Sequence, residues 1–274
     1  DDLGSRGLGD VYKRQDLVGA LYHPDDGHVA PVDLTMALAK GARMNGGEIY
    51  TQTEVTGIRQ KPNDEWVVST AQGDITCEVV ISCTGNYARE TGRMVGLELP
   101  VVPVEHQYIV TGAIPELAEY NQGGNPELAV LRESDASYYM RQEADGLILG
   151  PYEKGAPCWA LDGVPEGFGQ ELLAPDVERL EPHVIAAGKR VPLFESAGMK
   201  ECINGPIAYT PDGNPIVGPA PGLRNFYLSE GHSFGITAAG GSGKFLAEWI
   251  IEGHASIDML GVDPRRYSAA QSTR

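Results

Sequence analysis

Gly231-His232-Ser233-Phe234-Gly235 places a serine inside G-x-S-x-G, the spacing of a nucleophile elbow, between an apolar run at Asn225–Ser229 and a helical pattern at Ile236–Ile251. A serine nucleophile needs a histidine base and a carboxylate that orients it, following the elbow in the order Ser, acid, His. After Ser233 comes a single histidine, His254, at the far end of the same helix and about thirty ångströms away at 1.5 Å per residue. An H-G-G-G oxyanion segment is also missing upstream, so the elbow reads as a chance match. Gly240-Gly241-Ser242-Gly243-Lys244 fails as a P-loop, because Ala238 stands where Walker A needs glycine and Phe245 where it needs Ser or Thr. His23, Asp25, Asp26 and His28 lie in a turn-rich loop with no third element at ligand spacing, so a hydrogen-bonded turn is expected there and no metal. His106, in the alternating run Pro103–Thr111, is the remaining candidate. Histidines in such strands are usually packed rim residues, but this one could titrate near neutrality and move a proton.

The strand–turn–helix unit around Ser233 has a second reading. A helix start aims free N–H groups at whatever lies above the turn, and here it is rich in Gly and Ala, so it could hold an electron-rich cofactor edge. Upstream, Val79–Gly85 (VVISCTG) reads as an apolar central parallel strand ending in small residues, the profile of a strand whose end meets a ligand.

The elements needed to position these residues follow from periodicity. A helix is expected over Leu34–Met44, capped by Asp33 and stopped at Asn45-Gly46-Gly47. Short strands are expected at Glu48–Tyr50 and Glu54–Arg59, and Trp66–Thr70 should pair with Ile75–Glu78 as a hairpin. After Gly96 the texture becomes antiparallel: Pro103–Thr111, then Tyr138–Gln142 and Leu147–Gly150 joined by Glu143-Ala144-Asp145-Gly146. Leu172–Arg190 reads as helix broken at Pro175 and Pro182, and Asn204–Pro221 as a loop. Residues 1–15 lack any hydrophobic period and read as non-native or disordered; residues 263–274 read as a linker or tail.

Bulk properties narrow the partners. A net charge of −17 on 274 residues disfavours nucleic acid and anionic membranes, both of which call for a basic patch. No apolar run is long enough for a membrane span. The four cysteines have neither C-x-x-C nor zinc spacing and are expected as buried thiols of an intracellular protein.

Taken together, LYHPDDGHVAPVDLTMALAKGAR, VVISCTGNYARETGRMVGLELPVVPVEHQYIVT, SYYMRQEADGLILGPYE, NGPIAYTPDGNPIVGP and GHSFGITAAGGSGKFLAEWI carry a resemblance that extends from about Leu17 to Tyr267. The chain resembles the FAD-dependent amine dehydrogenases of the D-amino-acid-oxidase superfamily, in the dimethylglycine and sarcosine dehydrogenase branch.

The resemblance implies an α+β / α/β architecture of D-amino-acid-oxidase type. An incomplete Rossmann-type FAD-binding domain (16–90 and 200–262) would flank a substrate domain (91–199) built on an inserted antiparallel sheet. It implies Val55 beside the adenine, Cys83, Thr84 and Gly85 near the pyrophosphate, and Gly235 and Ile236 presenting amides to the flavin's pyrimidine edge. His106 would face the flavin as base, with Tyr138 as its polar partner and Tyr139 as the alternate, since strand neighbours point to opposite faces. The implied reaction passes a hydride from the N-methyl group of a small methylated amine to the flavin, leaving an iminium for water or tetrahydrofolate. Electrons would leave to oxygen or an electron-transfer flavoprotein. The compartment would be the cytoplasm, or the mitochondrial matrix in a eukaryote. The G-x-G-x-x-G strand, a histidine that can bond flavin covalently and a folate-binding region are expected outside this stretch. Relatives with a lysine just past the flavin-contacting glycine differ from Gly235-Ile236-Thr237 here, and Arg141 is a weak substitute for gripping a substrate carboxylate. A non-catalytic regulatory or binding relative on the same fold is the alternative.

Overall fold

The computed structural model describes residues 16–272. In chain order these form α1 (Pro31–Met44), β1 (Val55–Gln60), β2 (Trp66–Thr70), β3 (Gly73–Cys77), β4 (Val80–Ser82), α2 (Ala88–Met94), β5 (Val102–Thr111) and α3 (Pro115–Gln122). There follow β6 (Leu131–Glu133), β7 (Tyr138–Glu143), β8 (Gly146–Pro151), α4 (Val177–Arg190), α5 (Pro192–Ser196), β9 (Met199–Tyr209), β10 (Ile216–Pro219), β11 (Phe226–Glu230) and α6 (Gly235–Glu252). Two compact units result: a first from residues 29–104, 157–168 and 206–272, and a second from 16–28, 105–156 and 169–205. The chain passes between them after residue 28, inside β5, after 156, after 168 and inside β9, whereas a single inserted segment 91–199 is expected from the sequence.

In the first unit, β1, β2 and β3 form an antiparallel sheet, with the expected β2–β3 hairpin pairing from Trp66↔Cys77 to Thr70↔Gly73. β3 thus begins at Gly73 rather than Ile75, and the turn is the two residues Ala71-Gln72. Trp66 is the apolar anchor. Its ring lies 5.2 Å from that of Phe226 and its indole N–H donates to the Arg224 carbonyl at 3.0 Å, so a large ring is buried without orphaning its one donor. A second sheet runs β10-β11-β4, with β11 antiparallel to β10 and parallel to β4. The expected central strand is therefore an edge strand of three residues, with Ile81 at 47% exposure, while Phe226 and Leu228 of β11 supply the buried middle.

Three local expectations in this unit are corrected. α1 starts at Pro31 and not after Asp33, because proline's fixed φ and missing N–H suit the first helical position; Asp33 sits in the first turn. Residues 48–50 form no strand. The segment from Asp263 is docked rather than a loose tail: Asp263 is buried, and the Arg266 guanidinium and Tyr267 hydroxyl both donate to the Asp212 carboxylate.

The second unit is built on a sheet ordered β6-β7-β8-β5-β9. One face packs Ile109, Tyr138, Met140, Leu147 and Leu149 against Leu180 and Ala187 of α4 and Phe194 of α5. α4 runs unbroken through Pro182, against expectation. Proline there leaves the Glu178 carbonyl without its helical partner, at a cost of about 3 kcal/mol. The Asp176 cap, which accepts from the Arg179 N–H, and the burial of Leu180, Ala187 and Gly188 offset it. β9 and β10 occupy much of the expected loop 204–221, leaving a turn at Thr210–Gly213 between them and another that begins at Ala220.

Candidate functional site

The first unit brings β4 and β11 side by side with Leu228 opposite Ser82, which puts Glu230 across from the point where the chain leaves the sheet. Glu230 is wholly buried. Its carboxylate accepts from the Ser82 hydroxyl (2.6 Å), the Thr84 hydroxyl (2.9 Å), the Thr84 N–H (2.9 and 3.0 Å) and the Gly85 N–H (2.9 Å). A carboxylate is acceptor-only, so four neutral donors converging on it satisfy a group that would otherwise be costly to bury. Gly85 stands at φ +58° with open space where a side chain would be, so its outer side is free for close approach. Cys83 is exposed, as is Cys158, against the expectation of buried thiols; Cys83 lies just past the end of β4. Desolvation and the Glu230 charge raise the Cys83 pKa, which keeps it a thiol.

Past Glu230 the chain turns at Gly231 (φ +67°), where any Cβ would meet the Thr210 methyl at 2.5 Å. α6 then begins with no side-chain cap from Phe234 and no carboxylate in its first turn, so the N–H groups beginning at Gly235 and Ile236 are offered outward. Ile236 is largely exposed, as is Val55 at the start of β1. Ser233 donates to the Gly213 carbonyl at 3.4 Å, whereas the His232 imidazole meets Ser242 at 3.1 Å. The serine of the elbow thus has a backbone acceptor, and the neighbouring histidine serves another residue.

The second unit gathers a row of aromatic side chains on the face of its sheet opposite the core. β5 pairs with β8 through Ile109↔Leu149, and continuing that register sets Tyr108 across from Gly150 and His106 across from Tyr152. The His106 and Tyr152 rings stand 5.6 Å apart, and Tyr152 and Tyr139 6.0 Å apart. Tyr139 lies flat on Gly150, its partner across β7–β8: a Cβ at Gly150 would sit 2.0 Å from the Tyr139 ring. Glycine at that position is what lets the ring lie down. Burial lowers the His106 pKa, opposed by the Glu153 charge, which favours the neutral imidazole.

Tyr138, the expected partner of His106, points the other way. It belongs to the core cluster, its hydroxyl is buried without a hydrogen-bond partner among the described residues, and burial with the Glu133 charge raises its pKa to about 12. Strand alternation therefore selects Tyr139 as the tyrosine sharing a face with His106. Arg141 is spent on Glu143 (2.5 Å) and the Gln142 carbonyl (2.9 Å). Beneath His106 the strand is clamped. Gln107 exchanges hydrogen bonds with the Asp176 backbone and donates to Glu153, while Arg179 pairs with Glu105 and Glu153, each at 2.9 Å. Sequence reasoning passed over Tyr152, Gly150 and Glu230. Their only signals were a glycine two residues before an aromatic in GPYE and a carboxylate closing the apolar run FYLSE.

The His23–His28 loop brings together no metal-binding group, and none of three or more His, Cys, Asp or Glu occurs elsewhere among the described residues. Nor is any described helix long and apolar enough to cross a membrane.

Residues 5–249 match the family model for FAD dependent oxidoreductase (DAO), and the chain belongs to that family. It is 43% identical over 263 residues to mitochondrial dimethylglycine dehydrogenase of Mus musculus, covering 94% of this chain and 30% of the mouse protein. Human mitochondrial sarcosine dehydrogenase is 37% identical over 92% of this chain and 27% of its own length. The mitochondrial pyruvate dehydrogenase phosphatase regulatory subunit of Mus musculus is 32% identical over 94% of this chain and 29% of its own length. The chain thus spans less than a third of each of these relatives. Among solved structures, L-proline dehydrogenase from P. horikoshii superposes with a TM-score of 0.73 at 27% identity, over 89% of this chain and 61% of that one. The fold is D-amino-acid-oxidase-like, mixed α/β with an antiparallel sheet.

Proposed function

We propose that this chain is the flavin-bearing part of an amine dehydrogenase that demethylates a glycine-type amine, dimethylglycine or sarcosine. The observation that carries this is half-buried His106, seated in a row of tyrosines on a clamped strand. A methylated amine is a cation at neutral pH and has no lone pair to assist loss of hydride from its methyl group. His106 takes the ammonium proton at a ring nitrogen, which returns that lone pair. Tyr139 and Tyr152 wall the same face and hold the amine against the imidazole.

The family's FAD fits the first unit in part. The uncapped start of α6 offers N–H groups to an electron-rich edge, and Gly85 leaves room for backbone to come close. The Thr84 and Gly85 amides are not available as phosphate donors, since Glu230 holds both. When bound, FAD supplies the hydride acceptor.

The test is anaerobic mixing of the full-length flavoprotein with dimethylglycine or sarcosine while following flavin absorbance. Bleaching supports the reading. A protein that holds flavin but is bleached by neither amine is instead a regulatory or binding relative, the reading favoured by the likeness to the phosphatase regulatory subunit.

A further inference from the structure

We infer that Glu230 is a positioning residue for cofactor binding, an internal anion that fills the amide nest at the end of β4 and fixes the shape of the loop Cys83–Gly85. This rests on the reading above that the first unit binds FAD beside that loop. Successive N–H groups converging at a strand end make a concavity for an anion. Here the Thr84 and Gly85 N–H groups, joined by the Ser82 and Thr84 hydroxyls, converge on a carboxylate that the chain itself brings in from 145 to 148 residues away. Glu230 is wholly buried, and each of these partners is a neutral donor. A group so placed does not touch the cofactor. It acts by holding Gly85 in its left-handed conformation (φ +58°) with the open side outward, so the surface offered to the cofactor is set before binding. Without the carboxylate, the two N–H groups and two hydroxyls lose their common acceptor and the loop is free to turn them elsewhere.

The experiment uses the full-length protein and reads FAD affinity, hydrogen exchange of the 80–86 peptide in the apoprotein, and apoprotein melting. Glu230→Ala should weaken FAD binding about tenfold or more and speed exchange in that peptide. Acetate, which matches the missing CH2–carboxylate, should recover much of the affinity; acetamide, which brings an amide instead, should not. Thr84→Val and Ser82→Ala each remove one hydroxyl from the same carboxylate and keep the backbone, so they stand in should Glu230→Ala fail to fold. Each should weaken FAD by a few-fold, with a smaller drop in apoprotein melting temperature than Glu230→Ala causes. Wild-type FAD affinity in Glu230→Ala, or in both hydroxyl variants, overturns the inference and leaves Glu230 a tie within the sheet. A wild-type protein that takes up no FAD overturns the parent reading as well, an outcome visible before any variant is made.

Discussion

The two units treat the polar groups of their candidate sites in opposite ways. At the end of β4, every donor that meets Glu230 is consumed inside the protein. On the sheet of the second unit, His106, Tyr139 and Tyr152 lie half-buried against one another, while the hydrogen bonds that stiffen the strand are made on its other side by Gln107, Glu105 and Arg179. The difference separates holding from reacting. A surface that must be the same before and after binding is best locked by its own side chains. A group that must exchange a proton needs an unspent nitrogen on a backbone that does not move.

That contrast can be broken by substitution in the full-length flavoprotein. The largest effect is expected from His106→Ala, which should slow flavin reduction by the amine about a hundredfold or more and leave bound flavin unchanged. Equal losses of flavin and rate would mean that His106 belongs with the holding surface. Gly150→Ala comes next. Its methyl would occupy the space of the Tyr139 ring, and reduction should slow by roughly tenfold through misplacement of that ring, again at full flavin content. Full activity in this variant would show that the lie of Tyr139 is immaterial.

Glu153→Gln is a finer probe. Burial lowers the His106 pKa and the Glu153 charge opposes it, so reduction should be present above a pKa under the ordinary value of about 6.5 and lost as pH falls through it. Removing the Glu153 charge should move that acid limb to still lower pH, whereas a shift upward would contradict the assignment. The smallest effect belongs to Ser233→Ala, which gives up one 3.4 Å hydrogen bond to Gly213 and should leave the redox rate within about twofold of wild type. Loss of an esterase activity on that change would revive the nucleophile.

Much of the fold was legible because it rests on local pattern. The hairpins at 66–77 and 138–151 follow from alternation and turn residues, and α6 from its apolar second half. What escaped depends on contacts distant in sequence. Pro182 should break a helix, but α4 has a capped start and a buried face that hold it through the proline. β4 has the composition of a central strand and stands at a sheet edge, because an apolar run does not say how many neighbours it has. The same limit governs the site. His106 is conspicuous as a rare titratable residue in an alternating strand, and the choice between Tyr138 and Tyr139 is left open by alternation until the register is known. Glu230 was invisible, since its four donors lie in a segment nearly 150 residues earlier.

α1 has a consequence for handling the isolated chain. None of its residues is buried, and Val32, Met36, Leu38 and Met44 all lie more than half exposed. Copies bearing such an oily helix attract one another at short range, while a net charge of −17 pushes them apart at long range. Salt shortens the reach of the repulsion, to about 10 Å at 0.1 M, and leaves the attraction intact. Light scattering from the 274-residue chain should therefore rise as salt is added, the reverse of what an ion-paired assembly would do.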